Sequence, residues 1–330
     1  MRTNLAWSEA QLRCCLSARR RKVTANEIVV GVDGSRESED ALTWAIDQAK
    51  RHDYTLRLVC AYSLPSFAAA SLDGGFAMMD DSAIESGARA VVAKAIAQAE
   101  DNGVNAIADL ETGDPAGVLV ERSKTARLVV VGTRGGGGFA DRLLGAVSSA
   151  VPAHAHCPVV VVPRHESGSA FTPITRIVVG VDGSPAARKA LSYALDEAIA
   201  WGAELTAVAA VPMTTGMGSL AWIPASVDRE SVVADARAGL DATIDAVLQG
   251  REFNVRRHAL DGNPAALLAE FSTAVDLVVV GTRGRGGFAG LLLGSTSQAV
   301  LNHTTCPVMV VPSGKREEEG ESLHGRWARR

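Results

Sequence analysis

Two stretches of this chain concentrate residues that can do chemistry. "GTRGGGGFADRLLGAVSSAV" occupies 132 to 151 and "GTRGRGGFAGLLLGSTSQAV" occupies 281 to 300, each after an apolar run, "RLVVV" or "DLVVV". Glycines there permit positive φ and close backbone approach, so several N–H groups can point at phosphate oxygens. Arg134 and Arg283 add planar donors suited to bidentate contact. The helix that follows offers its N-terminus to negative charge. A second motif, "VDGS", sets Asp33 and Asp182 after another apolar run. A carboxylate only accepts hydrogen bonds, so it suits a ribose hydroxyl or a base amine and repels phosphate. The ligand implied is a nucleotide, phosphates over the glycines, sugar and base near Asp33 or Asp182.

Competing chemistries fit less well. A P-loop needs GxxxxGK[ST], and no such string occurs. A Rossmann fingerprint follows the first strand, whereas these loops follow the fourth. Ser35 and Ser184 lie on a strand-to-helix turn, but G-x-S-x-G is absent and no histidine recurs to act as base, so helix capping is the expected role. "HAHC" (His154, His156, Cys157) and "HTTC" (His303, Cys306) offer His-x2-Cys, without the paired close spacings of structural zinc. No metal site and no catalytic residue is expected.

The elements that must position these residues come in duplicate. "IVVGVDGS" starts at Ile28 and Ile177, "GDPA" at Gly113 matches "GNPA" at Gly262, and "CPV" starts at Cys157 and Cys306. Each second anchor lies 149 positions after the first, as 177 does after 28. A constant offset across whole domains means duplication. Within a copy, "EIVVGVD" and "TLRLVCAY" read as strands flanking a helix whose Leu42, Ala45, Ile46 and Ala49 share one face, with Ser35 or Ser38 as its cap. A helix near 82 to 101, the strand "NAIADLET", a helix over "PAGVLVERSK", the strand "ARLVVVG", the glycine loop with its helix, and "CPVVVVP" complete the copy. Continuous apolar strands alternating with amphipathic helices predict two tandem doubly wound, five-stranded parallel-sheet α/β domains. Their expected limits are 26–165 and 174–313, joined by "RHESGSAFTP". Residues 1–25 and the charged tail 314–330 are expected to be loose.

Composition narrows the class. The 330 residues are 47% hydrophobic and 21% charged with a formal charge of −4, so no basic excess argues for nucleic acid. No stretch approaches the roughly 20 apolar residues of a membrane span. The five cysteines, Cys14 and Cys15 among them, show no disulfide-framework spacing, and the first residues show no secretory pattern. A reducing cytoplasm is the expected compartment. The cluster Arg19, Arg20, Arg21 and Lys22 reads as a solvated tail. The methionines of "GGFAMMDD" and "TTGMGSLAW" fall in variable loops, where packing and lid roles both stay open.

At these residues the chain resembles the universal stress protein family in its tandem form. The family's signature G-x2-G-x9-G-[S/T] is met by Gly281, Gly284, Gly294 and Ser295. The first copy, Gly132, Gly135, Gly145 and Ala146, departs at the last position. The resemblance covers about residues 26 to 313. It implies an adenine nucleotide α-hydrolase-like fold with strand order 3-2-1-4-5, and ATP with Mg2+ as ligand. It places Asp33 and Asp182 near the nucleoside and Ala61 and Ala210 beside the adenine. The glycines take the phosphates, helped by Ala146 and Val147 or Ser295 and Thr296, and Ser148 and Ser297 add hydroxyl contacts.

The function expected is an ATP-binding stress-response regulator acting through nucleotide-dependent conformation or partner binding. A slow ATPase or other nucleotide-processing enzyme is the alternative, and a scaffold that has lost its ligand is a third reading for the first half. Expected partners are an adenine nucleotide, regulatory proteins and a second copy in a homodimer, with no nucleic acid and no membrane. The apolar strands "CPVVVVP" and "CPVMVVP" are predicted to cover each other's edges across a pseudo-twofold axis inside the chain. Ser295 against Ala146, and Arg285 against Gly136, predict a tighter second site.

Overall fold

The computed structural model describes residues 26–62, 81–135, 144–164, 171–211, 229–284 and 292–313. Cys14, Cys15, the basic cluster at 19–22, the methionine loops, Gly136, Arg285 and both tails lie outside the described residues. The chain divides into two compact units, Met1–Val151 and Pro152–Arg330.

The first unit runs β1 (Glu27–Gly31), α1 (Arg36–His52), β2 (Thr55–Tyr62), α2 (Asp81–Asp101), β3 (Ala106–Thr112), α3 (Pro115–Arg122) and β4 (Leu128–Gly132). Its strands lie in the order β3-β2-β1-β4. The pairings β1–β2, β1–β4 and β2–β3 are parallel. Ile28, Val29 and Val30 of β1 and Leu128 to Val131 of β4 are all buried, as strands covered on both faces require. Burying each such side chain stabilises by about 1.5–3 kcal/mol.

Local chemistry sets the limits of the helices. Of the two candidate caps, Ser35 is the one used: its hydroxyl accepts the Ser38 N–H at 3.2 Å. Ser38 instead donates its hydroxyl to the Ser35 carbonyl at 2.9 Å. Glu37 and Glu39 in the first turn, and Lys50, Arg51 and His52 in the last, suit the helix dipole. Leu42, Ala45, Ile46 and Ala49 are buried together, and Trp44 joins them. The helix stops at Asp53, which adopts left-handed backbone (φ 55). In α3, Asp114 caps by accepting the Gly117 N–H at 2.8 Å, with Pro115 at the first helical position.

The second unit comprises β5 (Val159–Val162), β6 (Arg176–Gly180), α5 (Pro185–Trp201), β7 (Glu204–Val211), α6 (Arg229–Leu248), β8 (Val255–Asp261), α7 (Pro264–Phe271), β9 (Leu277–Gly281), α8 (Ser295–His303) and β10 (Val308–Val311). The helix α4 (Ala146–His154) spans the division. The order β8-β7-β6-β9-β10 reproduces the 3-2-1-4-5 arrangement, all parallel. Inside this unit β5 runs antiparallel to β10, with Val159, Val160 and Val161 opposite Val310, Met309 and Val308. The two closing strands therefore do pair. Among the described residues no helix is long and apolar enough to cross a membrane.

Candidate functional site

Because β1 and β4 are parallel neighbours, the turns beyond their carboxyl ends open on the same crevice. In the first unit that crevice is a cavity of about 300 Å3. Asp33, Ala61, Gly132, Arg134, Gly135, Gly145, Ala146, Val147 and Ser148, the first-copy residues singled out from the sequence, all line it. Val32, Val59, Pro115 and Leu119 add an apolar wall that the sequence reading did not assign. The repeated "GDPA" and "GNPA" marked that wall, since Pro115 comes from this motif and Leu119 follows on the same helix. Such a cavity, apolar on one side with convergent polar groups on the other, has the size and lining of a small-molecule site.

The glycines earn their place differently from the expectation. Positive φ occurs in the "VDGS" turns, at Gly34 and Gly183 (both φ 80), not at the described glycines of the two loops. What the loop glycines supply is absence of a side chain. A Cβ on Gly132 would come within 2.6 Å of the Glu37 backbone, and one on Gly281 within 2.9 Å of the Ala186 Cβ. At Gly135 it would stand 2.3 Å from the Asp33 Oδ2, and at Gly284 2.3 Å from the Asp182 Oδ2. Each aspartate thus lies directly over the second glycine of its loop. Its other oxygen is held from below: Asp33 Oδ1 accepts from the Ser35 N–H at 3.0 Å and the Ser35 hydroxyl at 2.5 Å. Asp182 Oδ1 accepts from the Ser184 N–H at 3.0 Å.

Ser148 and Ser297 bond the loops' own backbone, and both are buried. Ser148 donates to the Thr133 carbonyl at 2.6 Å and accepts the Gly145 N–H at 3.0 Å; Ser297 donates to the Gly281 carbonyl at 2.6 Å. These bonds hold the loop's shape. The loop ends are closed by Gly145 N–H to Thr133 and Gly294 N–H to Thr282, at 2.8 and 2.7 Å. Ser295 is exposed at the start of α8, with Thr296 in the same turn and Gly294 as its N-cap. Ala210 lies near the carboxyl end of β7 as Ala61 does in β2.

The arginines differ between copies. Arg134 is about one-third exposed and its Nε stands 3.8 Å from Glu37 Oε1. Arg283 is exposed, and its guanidinium donates to the Ser313 hydroxyl at 3.4 Å. Beneath the first crevice, burial and then Asp33 push the Cys60 thiol up from its ordinary value, so it stays protonated. His154 and His303 close their helices as expected, and among the described residues no cluster of three His, Cys, Asp or Glu side chains is arranged to hold a metal.

The second unit is a doubly wound α/β domain, the first shares its strand order as far as β4, and both have a glycine loop facing an aspartate. Comparison with known proteins names the class. The universal stress protein family model matches residues 25–163 and again 173–312. A universal stress protein of Mycolicibacterium smegmatis is 35% identical over 295 residues, covering 86% of this chain and 96% of that relative. One from Mycobacterium tuberculosis strain H37Rv is 33% identical over 297 residues, covering 86% and 95%. The crystal structure of a universal stress protein from Archaeoglobus fulgidus shares the fold, with a TM-score of 0.64 at 23% identity over 88% of this chain and 100% of that one. The chain belongs to the universal stress protein family and carries two of its domains.

Proposed function

We propose that each domain binds an adenine nucleotide, ATP with Mg2+ in the second crevice, and that the protein is a cytoplasmic stress-response regulator whose bound state is read by partner proteins or by a second copy. The observation that carries this is the opposition of Asp33 to Gly135 and of Asp182 to Gly284, a carboxylate against a bare backbone at the mouth of a crevice. The carboxylate accepts from the nucleoside, and the N–H groups of the loop and of the following helix face the phosphates. In the first crevice, Val32, Ala61, Pro115 and Leu119 give the flat base an apolar seat. Mg2+ is commonly bound through one or two carboxylates plus substrate phosphates, so it would arrive with the ATP. The buried thiols Cys60, Cys157 and Cys306, none of them in a disulfide, suit a reducing compartment.

Binding is favoured over turnover because the hydroxyl that a carboxylate holds at the first crevice, Ser35 on Asp33, is already engaged as the cap of α1. Nucleotide released from the natively purified protein, identified by mass spectrometry, tests the ligand. A nucleotide-free preparation given ATP tests the chemistry: turnover near the roughly 10 per second typical of enzymes would replace the regulator with an ATPase.

A further inference from the structure

The two copies also differ at a place outside the glycine motif. The first helix of each copy begins beside its loop, and the two helices begin with opposite charge. In α1 the first residues are Arg36, Glu37, Ser38, Glu39 and Asp40; in α5 they are Pro185, Ala186, Ala187, Arg188 and Lys189. Acidic side chains occupy the first turn of α1, and none occupies that of α5. Glu37 sits where this matters, because its backbone packs against Gly132 and its carboxylate lies 3.8 Å from the Arg134 Nε. Arg134 lines the crevice, so this cation already faces an anion. In the second copy that position is Ala186, which packs against Gly281 with no charge to offer.

From this we infer that Glu37 sets the ligand class of the first crevice: adenine compounds with little negative charge, adenosine above all, while the second crevice takes the triphosphate. The inference rests on the reading of both crevices as adenine-binding sites and narrows the ligand of the first. A polyphosphate laid over Gly132 to Gly135 finds Arg134 partly neutralised by the Glu37 carboxylate behind it; an uncharged nucleoside loses nothing by this. The positive end of α1 is likewise offset by Glu37, while Glu39 is paired with Lys94; that of α5 has no acidic side chain in its first turn and lies beside Arg188 and Lys189.

Calorimetric titration of the full chain with adenosine and with ATP decides it. Wild-type protein should bind adenosine in both crevices and ATP strongly in only one. Glu37→Ala should raise ATP affinity at the first crevice on the order of tenfold, giving two strong ATP events per chain, and leave adenosine within about twofold. Ala186→Glu should weaken ATP at the second crevice by a similar factor, again sparing adenosine. Each substitution copies the residue the other half already folds with. Two equal ATP sites in the wild type, or an adenosine affinity that moves as far as that of ATP in Glu37→Ala, would overturn the assignment. Failure of wild-type protein to bind either compound would instead remove the nucleotide reading on which it rests.

Discussion

Gly135 and Gly284 show how a missing side chain can itself be a requirement. The added Cβ would stand 2.3 Å from a carboxylate oxygen, far inside contact distance, so the loop or the aspartate must move. Gly284→Ala is therefore expected to weaken ATP binding at the second crevice at least about tenfold, and Asp182→Ala to weaken it by loss of the nucleoside acceptor. Calorimetry checks both, and wild-type affinity in either variant would contradict the arrangement. Ser295 adds an exposed hydroxyl that Ala146 lacks; one hydrogen bond to a charged group contributes on the order of 1.5–3 kcal/mol, so Ala146→Ser should narrow the gap between the sites. The spacing of these glycines was legible in the sequence. Their reason was not, because spacing cannot separate positive φ from close approach, and the partner of Arg134 lies almost a hundred positions away.

A second residue-scale outcome concerns pH. Burial, and then Asp276, push the Cys306 thiol from its ordinary 9.0 to about 12. The folded state therefore keeps a proton that the unfolded chain loses above pH 9. Its contribution is present below the unfolded value and is lost as pH rises from there toward 12, by up to about 1.4 kcal/mol per pH unit. Urea unfolding between pH 8 and 10.5 should show this alkaline loss, reduced in Cys306→Ala. An unchanged slope in that variant would remove the thiol as the cause.

At the scale of elements, β1, β2 and β3 are joined by a charge network that the apolar pattern hides. Arg57 of β2 reaches Glu27 of β1 and Asp109 of β3, each at 2.9 Å, and Arg122 of α3 also bonds Asp109 at 2.9 Å. Burial opposes the charge on Arg57, but the two carboxylates outweigh it and hold its pKa above the ordinary value. The register explains the contact: Arg57 lies opposite Val29 and Ile107, so Glu27 and Asp109 are its diagonal neighbours. At the equivalent positions the second copy has Arg176, Thr206 and His258, so the fold does not need the network. Arg57→Met alone leaves the buried Glu27 without its partner and should cost about 3 kcal/mol in urea unfolding. Glu27→Val added to it should restore most of that loss; strictly additive losses would show that the pair is not coupled. Strands, helices and a serine cap at Ser35 or Ser38 were legible from apolar runs and helical spacing; the choice of Ser35 was not. Nor was the network, since only the strand register brings Glu27, Arg57 and Asp109 together.

For the whole molecule, the closing strands carry the argument. The β5–β10 pair is centred on Val160 opposite Met309, and these are equivalent positions of the two copies, 309 lying 149 after 160 as 177 lies after 28. Val159 opposite Val310 and Val161 opposite Val308 are then the same cross pair taken in the two senses. Such a ladder is self-complementary: a second β5 presents the same length, the same backbone groups and nearly the same side chains as β10. Both strands are fully apolar and buried, so either left alone would be an exposed hydrophobic edge. Residues 26 to 165 expressed alone are therefore expected to dimerise, with Val160 opposite Val160, and light scattering after size exclusion should give twice the mass of the half-chain. Val160→Lys in that fragment places like charges at the centre of the new ladder and should hold it monomeric with its far-ultraviolet circular dichroism retained. In the full chain the same substitution buries a lysine where Val160 is now fully enclosed, and should lower stability instead of changing mass. A well-folded half that stays monomeric at micromolar concentration without the substitution would mean that β5 is kept from pairing by something other than β10.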